Sequence, residues 1–435
     1  MIGLGTTGAA VVKALRWVGV RVYGTDSSEA SRILAVAHDL EGMGAIVECG
    51  RHDLKRIASS RAVVVSPGIP PSAPPVDAAR NAGVEVWSEI DLASLSLGAC
   101  SVVGVTGTNG KTTTTTVIDH LLRAGGISSV AAGNIGLPLI DVVMLPERPA
   151  WIVVELSSFQ LHYSSRLRPT IGVLTNVQPD HMDWYDREED YFADKKRLFL
   201  NAYPGATWIV NGDDQRAVDM ADRVEGMVEH WSLERPADAW WDRSGDLLMF
   251  GKEEIVDRGR FPLLGDHNVA NALAGALAAR RAGLAASDIS AGLRTMPQLE
   301  HRLETVSRTG GVRWINDSKG TNVASTTAAL RSIEGNVILI AGGLDKGEDF
   351  ARLEKLVLDR CSWVIVYGQA AAKLASQLNH AETVRVLTLA DAVRAARAAA
   401  QPGDTVLLSP ACASFDQFEN YIHRGRTFRE LVNQL

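Results

Sequence analysis

Lys111 follows Gly107-Thr108-Asn109-Gly110 and precedes Thr112 in the stretch GVTGTNGKTTTTT, residues 104–116, directly after an apolar β-branched run. Those residue types in that order can hold a phosphate. Gly107 and Gly110 let main-chain N–H groups of the loop, those of Thr108 and Asn109 among them, come close to an anion. Lys111 would neutralise the terminal oxygens, and the following helix presents an N-terminus that attracts negative charge. The hydroxyl of Thr112, with Thr113 beside it, is placed to reach Mg²⁺. The strict phosphate-loop spacing is not met: Val105 stands where the leading glycine should be, and Gly104 comes one place early. The plain alternative is a glycine turn carrying a surface lysine. Thr114 to Thr116 read as small β-branched residues packing and bonding locally in a first helical turn.

Other chemistry-bearing residues also follow apolar runs. Glu155 ends WIVVE, and a carboxylate behind a run suited to burial needs a cation or donors. That points to a metal or base role, with a strand-terminal cap as the alternative. In TNVQPDHMDWYDREEDYFADKKRLF (175–199), His181 and Asp183 follow a proline turn, and the pair Lys195–Lys196 comes later. Each alone reads as a surface turn or a solvated helix face; a position on the same sheet edge as Glu155 and Lys111 makes His181 a candidate metal ligand. His267, Asn268 and Asn271 share a face of an Ala-rich helix, where an adenine ring would satisfy groups that otherwise form a cap. Near the C-terminus, Lys319, Thr321, Lys346 and Ser414 sit in loops that follow apolar strands or precede helices. Together they would make a donor-rich pocket for a substrate carboxylate.

What must position these residues is an alternation of short apolar β-branched runs, Gly or Ser/Asp turns and helical stretches, the mark of βαβ units and parallel sheets. Three consecutive α/β units are expected, at 1–93, 94–294 and 295–435. The first has two residues before Gly3, so its first strand is expected to be truncated. Ligands of open α/β sheets collect at the carboxyl ends of strands, which sets Lys111, Glu155 and His181 on one edge. The length of 435 residues suits three domains of ~150 each. A net charge of −7 disfavours a nucleic-acid or membrane-surface partner. No apolar run is long enough to cross a bilayer, and no basic leader precedes an apolar stretch. The four cysteines are far apart with no CxxC pair, which argues against a zinc or disulfide framework and fits a reducing cytoplasm.

In chain order, GTNGKT, GNIGLP, VELSSFQL, NVQPDHMDWY, HNVANA, EHRLE, NDSKGTN, GGLDKGEDF and LSPACASFDQF resemble the motif series of the Mur ligase family of ATP-dependent peptide-bond-forming enzymes. The resemblance covers nearly the whole chain. It implies a Rossmann-like N-terminal domain, a P-loop-type central ATPase and a Rossmann-like C-terminal domain. It also accounts for the absent glycine, because GTNGKT is that family's phosphate loop. GNIG and SPACASFDQF are similar to the forms in the branch that adds D-glutamate to UDP-N-acetylmuramoyl-L-alanine. Another Mur-type or folylpolyglutamate-synthase-like ligase is the alternative.

On that resemblance Gly107, Thr108, Asn109, Gly110, Lys111, Thr112 and Thr113 bind ATP, with Asn268, Asn271, Arg302 and Asp317 serving the nucleotide. Thr112, Glu155 and His181 hold Mg²⁺, two ions in all, and a carbamoylated lysine bridges to the second. The family pattern of small, Lys, any, Arg, aliphatic, aromatic aligns on Asp194 to Phe199, which selects Lys195 and leaves Asp194 in the usual small place. Asp26, Ser66 and Gly68 would contact uridine diphosphate, and Asn134 the muramoyl-alanine end. Lys319, Thr321, Lys346, Ser414 and Tyr421 would hold D-glutamate. The implied reaction phosphorylates a carboxylate to an acyl phosphate, which an amine then attacks, in a cytoplasmic monomer. Gly3, Gly5, Gly8 and Asp26 would alone suggest NAD, but no hydride-transfer site accompanies them, and the family reuses such a unit for UDP.

Overall fold

A computed structural model describes residues 1–182 and 184–435; Asp183 lies outside the described residues. The chain forms two compact units, Met1–Arg260 with Ala270–Arg294, and Phe261–Val269 with Thr295–Leu435.

The first unit is built on a nine-stranded sheet. Its spatial order is Glu253–Asp257, Leu247–Phe250, Ala239–Asp242, Met227–Ser232, Thr207–Asn211, Ile171–Leu174, Ser101–Thr106, Trp151–Glu155 and Ser129–Gly133. From Ala239–Asp242 to Ser129–Gly133 every pairing is parallel. Val102, Val103, Val105 and Ile152 to Val154 are buried on both faces, as a helix-covered parallel sheet requires. The remaining two strands pair antiparallel, a departure from a uniformly parallel reading. Local turn chemistry makes it: Asp242 Oδ1 accepts from Ser244 N at 3.0 Å, and Asp246 takes φ 52°.

Residues 1–93 contribute two short parallel pairs, Tyr23–Asp26 with Ile46–Cys49 and Ala62–Val64 with Glu85–Trp87. Ile2 bridges both, to Thr25 and to Val65, so one residue occupies the place of the expected first strand. Ala10, Val11, Ile90 and Ala93 share a core with Leu139, Val142 and Ile152, which is why this segment and the large sheet form one compact unit. A polar seam reinforces that core. Asp91 accepts from Ser165 N at 2.8 Å and Arg166 N at 2.9 Å, and Glu89 Oε1 accepts from Ile140 N at 2.6 Å.

Glu89 is 2% exposed, and burial raises its pKa from 4.5 to about 7 against the lowering by the Ile140 N–H. The folded protein therefore keeps a proton that the unfolded chain has already lost between those values. This group's contribution to stability is full below pH 4.5 and is lost as pH rises to about 7. We expect the stability difference between Glu89→Gln and the unaltered protein to shift by about 3 kcal/mol between pH 4.5 and 8, read from urea midpoints. A parallel pH dependence in both proteins would show that Glu89 does not titrate this way.

The second unit has a six-stranded sheet in the order Glu304–Thr309, Val312–Asn316, Thr405–Leu408, Val337–Gly342, Cys361–Tyr367 and Thr383–Arg385. Only the first pair is antiparallel. Val337–Gly342 is buried along its whole length. Cys49, Cys100, Cys361 and Cys412 are all thiols. Among the described residues no helix is long and apolar enough to cross a membrane.

Candidate active site

The strand Ser101–Thr106 runs into the loop 107–110 and then the helix Lys111–Ala124. Gly107 takes φ 148° and Gly110 φ 84°; a Cβ at either would collide, with Thr175 Oγ1 and Asn271 Oδ1 respectively. Both positions therefore need glycine on two counts, backbone conformation and space. Asn176 holds the loop from the next strand's end, its carbonyl accepting from Thr108 N and its Oδ1 from Asn109 N, each at 2.9 Å. Thr175 Oγ1 donates to Asn109 O at 2.6 Å. Thr108 Oγ1 donates to Gln178 O at 2.9 Å and accepts from Tyr191 OH at 3.1 Å. The result is a hydrogen-bonded, glycine-bounded loop at a helix N-terminus, an arrangement that can bind phosphate.

Two lysines converge on it. Lys111 Nζ donates to Gly107 O at 2.9 Å and Thr108 O at 2.8 Å. Lys195 Nζ donates to the same Gly107 carbonyl at 2.7 Å and lies 4.5 Å from the centre of the Tyr191 ring. Lys195 is 1% exposed; burial, then the nearby Lys111, hold its pKa well below the ordinary lysine value. Its neighbour Lys196 is exposed. Of the pair, Lys195 alone belongs to the loop.

Glu155 pairs in register with Val105 and ends its strand beside the loop. The side chain is 1% exposed: Oε1 accepts from Asn134 Nδ2 at 2.7 Å, and Oε2 is buried with no hydrogen-bond partner. A carboxylate oxygen buried without a donor suits a cation. Among the described residues no three His, Cys, Asp or Glu side chains gather to cage a metal. The buried Glu155 oxygen is the kind of donor that Mg²⁺ takes, one or two protein carboxylates with phosphate and water completing its shell. His181 follows the next strand's end in a left-handed conformation (φ 59°), its ring 4.9 Å from Phe159. Thr112 is part-buried on the first helical turn, and Thr113 is 2% exposed. Thr114, read from sequence as packing, does more: its hydroxyl donates to Asn271 Oδ1 at 3.1 Å. Asn271 thus faces the loop, whereas Asn268 Nδ2 donates to Leu264 O at 2.7 Å.

In the N-terminal segment, Asp26 accepts from Leu4 N at 2.7 Å and Ser28 N at 2.8 Å, which closes the Gly3–Gly8 turn. Ser66 is part-buried against Gly3, and Gly68 is exposed.

In the second unit Asp317 is buried; Ser409 Oγ donates to it at 2.8 Å, and burial lifts its pKa to about 7. Lys319 Nζ stands 4.0 Å from the centre of the Tyr421 ring, and Tyr421 O accepts from Ser318 Oγ at 2.8 Å. The Thr321 N–H donates to Lys319 O at 2.8 Å. Ser414 is buried and Lys346 exposed, while Arg302 is part-buried. The residue that joins these loops was not singled out from sequence. Arg424, 0% exposed, donates to Ser318 Oγ at 3.0 Å, Ser318 O at 2.8 Å, Cys412 O at 3.1 Å, Ala413 O at 3.3 Å and Gly342 O at 3.4 Å. A charge among Gly425, Phe428 and Val432 on the buried face of the last helix was the available signal.

Three family models match successive parts of the chain: "Mur ligase MurD-like, N-terminal domain" at 1–88, "Mur ligase middle domain" at 105–279 and "Mur ligase, glutamate ligase domain" at 301–412. A protein of Myxococcus xanthus named UDP-N-acetylmuramoylalanine–D-glutamate ligase is 40% identical, over 100% of this chain and 98% of its own length. One of the same name from Koribacter versatilis is 38% identical over 100% and 97%. Among solved structures, a pseudomurein peptide ligase type C from Methanothermus fervidus superposes with a TM-score of 0.64 at 20% identity, over 100% of this chain and 98% of that one. The glycine-bounded loop with its two lysines, the carboxylate beside it and these end-to-end matches lead to one conclusion: the chain belongs to the Mur ligase family, whose members form amide bonds at the expense of ATP.

Proposed function

We propose that this protein joins D-glutamate to the alanyl carboxylate of UDP-N-acetylmuramoyl-L-alanine in peptidoglycan precursor synthesis. The observation that carries the reading is the end-to-end similarity to relatives bearing that ligase's name. The chemistry rests on the loop. ATP supplies the phosphoryl group that converts a poor electrophile, a carboxylate, into an acyl phosphate. Gly107 to Thr113 cradle the phosphates, and Lys111 balances charge that grows on the transferring group. Glu155, His181 and Thr112 would hold Mg²⁺, which would supply positive charge against the phosphates. Lys195, whose pKa burial lowers, has the amine that could add to CO₂ with loss of a proton, and as a carbamate it would add an oxygen ligand for a second Mg²⁺.

The same reading assigns Asn268, Asn271, Arg302 and Asp317 to the nucleotide. It assigns Asp26, Ser66, Gly68 and Asn134 to the UDP-sugar, and Lys319, Thr321, Lys346, Ser414 and Tyr421 to D-glutamate. The working division remains 1–93, 94–294 and 295–435, in a cytoplasmic monomer with no nucleic-acid or membrane partner; the separate sheets and the separate family matches support the division. With ATP, Mg²⁺ and UDP-N-acetylmuramoyl-L-alanine, phosphate release is expected with D-glutamate and not with L-alanine, L-lysine or diaminopimelate. Turnover of UDP-N-acetylmuramate with L-alanine, and none with D-glutamate, would assign the chain to a different branch.

A further inference from the structure

We propose that Asp194 is a positioning residue for Lys195, acting through His162 and Tyr185; the proposal rests on the reading of Lys195 as a functional side chain. The helix Glu188–Lys196 buries Tyr191, Asp194 and Lys195, and Leu198 in the next turn continues that face at helical spacing. Two polar, ionisable side chains on an inward face both need partners. Lys195 turns to the Gly107 carbonyl. Asp194 accepts from His162 Nδ1 at 2.9 Å and from Tyr185 OH at 3.0 Å.

His162 ends the helix Ser158–His162, which begins shortly after Glu155. On the far side of Lys195, Arg197 donates from Nε to Leu161 O at 2.7 Å and from Nη2 to Ser164 O at 2.8 Å. The main chain on either side of Lys195 is therefore fastened, at 194 and 197, to one segment, 161–164. Apolar packing alone tolerates a helix that slides or rolls; directional, charge-assisted hydrogen bonds do not. This tether explains why a carboxylate stands where the family pattern has a small residue. A buried carboxyl group requires partners, and His162 Nδ1 with the Tyr185 hydroxyl supplies them.

The test compares Asp194→Ala, Asp194→Asn, His162→Ala and the Asp194→Ala/His162→Ala double variant in the full chain, with Lys195→Ala as reference. Phosphate release and hydrogen exchange of the peptide spanning 188–199 are both read. Asp194→Ala is expected to lower kcat about 10- to 100-fold, with KM for ATP changed less than about threefold, because a lysine displaced by a fraction of an ångström misplaces what it holds. Exchange of that peptide is expected to rise. Asp194→Asn, whose Oδ1 still accepts, is expected to recover to within about fivefold of the unaltered protein, and the double variant to be no worse than Asp194→Ala alone. Equal losses in the Ala and Asn variants, additive losses in the double variant, or unmoved exchange in 188–199 would each overturn the tether. So would a fully active Asp194→Ala beside an inactive Lys195→Ala. Full activity of Lys195→Ala would instead remove the reading of Lys195 on which the tether stands.

Discussion

Replacing Lys111 by alanine is expected to lower the rate of phosphate release by about 10³-fold, a loss of about 4 kcal/mol of transition-state stabilisation. The thermal midpoint should stay within about 2 °C. Both parts follow from the loop's geometry. The Lys111 ammonium lies against the Gly107 and Thr108 carbonyls, in the loop where a terminal phosphate would sit. Charge developing on a transferring phosphoryl group is stabilised only by cations already in place, so no other residue substitutes without rearrangement. Stability is held elsewhere, by Asn176, Thr175 and the sheet beneath. Lys195 also donates to Gly107 O, so the loop keeps one of its two lysine anchors. Differential scanning fluorimetry beside a phosphate-release assay checks this. A fall in the midpoint of more than about 5 °C accompanying the loss would mark Lys111 as a structural clamp instead.

Arg424→Met is expected to destabilise the protein by at least about 3 kcal/mol and, at temperatures where it remains folded, to weaken turnover as well. The guanidinium serves five oxygens from three chain segments: Ser318, Gly342 and the Cys412–Ala413 turn. Methionine fills much of the same volume but donates nothing, leaving buried carbonyls unsatisfied at about 1–3 kcal/mol each before relaxation. Lysine offers three donors from one point and cannot reproduce the planar fork, so Arg424→Lys should recover only part of the loss. The loops that Arg424 joins carry Lys319, Thr321 and Ser414, so residual activity is expected to show a raised KM for the amino-acid substrate; Asp317, beside Ser318, is assigned to the nucleotide, so KM for ATP is expected to rise too, but less. Urea unfolding and steady-state kinetics measure both. A variant as stable as the unaltered protein, or one whose loss falls mainly on ATP, would show that these loops hold their shape without the arginine.

The contrast between Lys111 and Arg424 marks where local information ends. By itself the sequence determined the phosphate loop, the succession of α/β elements and the family, because each depends on neighbouring residues. Glycines at 107 and 110 serve a backbone conformation, Lys111 and Thr112 follow at fixed chain distance, and Glu155 ends an apolar run in register with the strand feeding the loop. It could not separate Lys195 from Lys196 by composition, since both are lysines on one helix. The fold turns one toward Gly107 and the other to solvent. Nor did it assign Thr114, Asp194 or Arg424, whose partners are Asn271, His162 and Ser318, at 157, 32 and 106 residues' separation. A hydrogen bond is made across a few ångströms of space, and only packing of the sheets and helices brings groups so far apart along the chain within that reach.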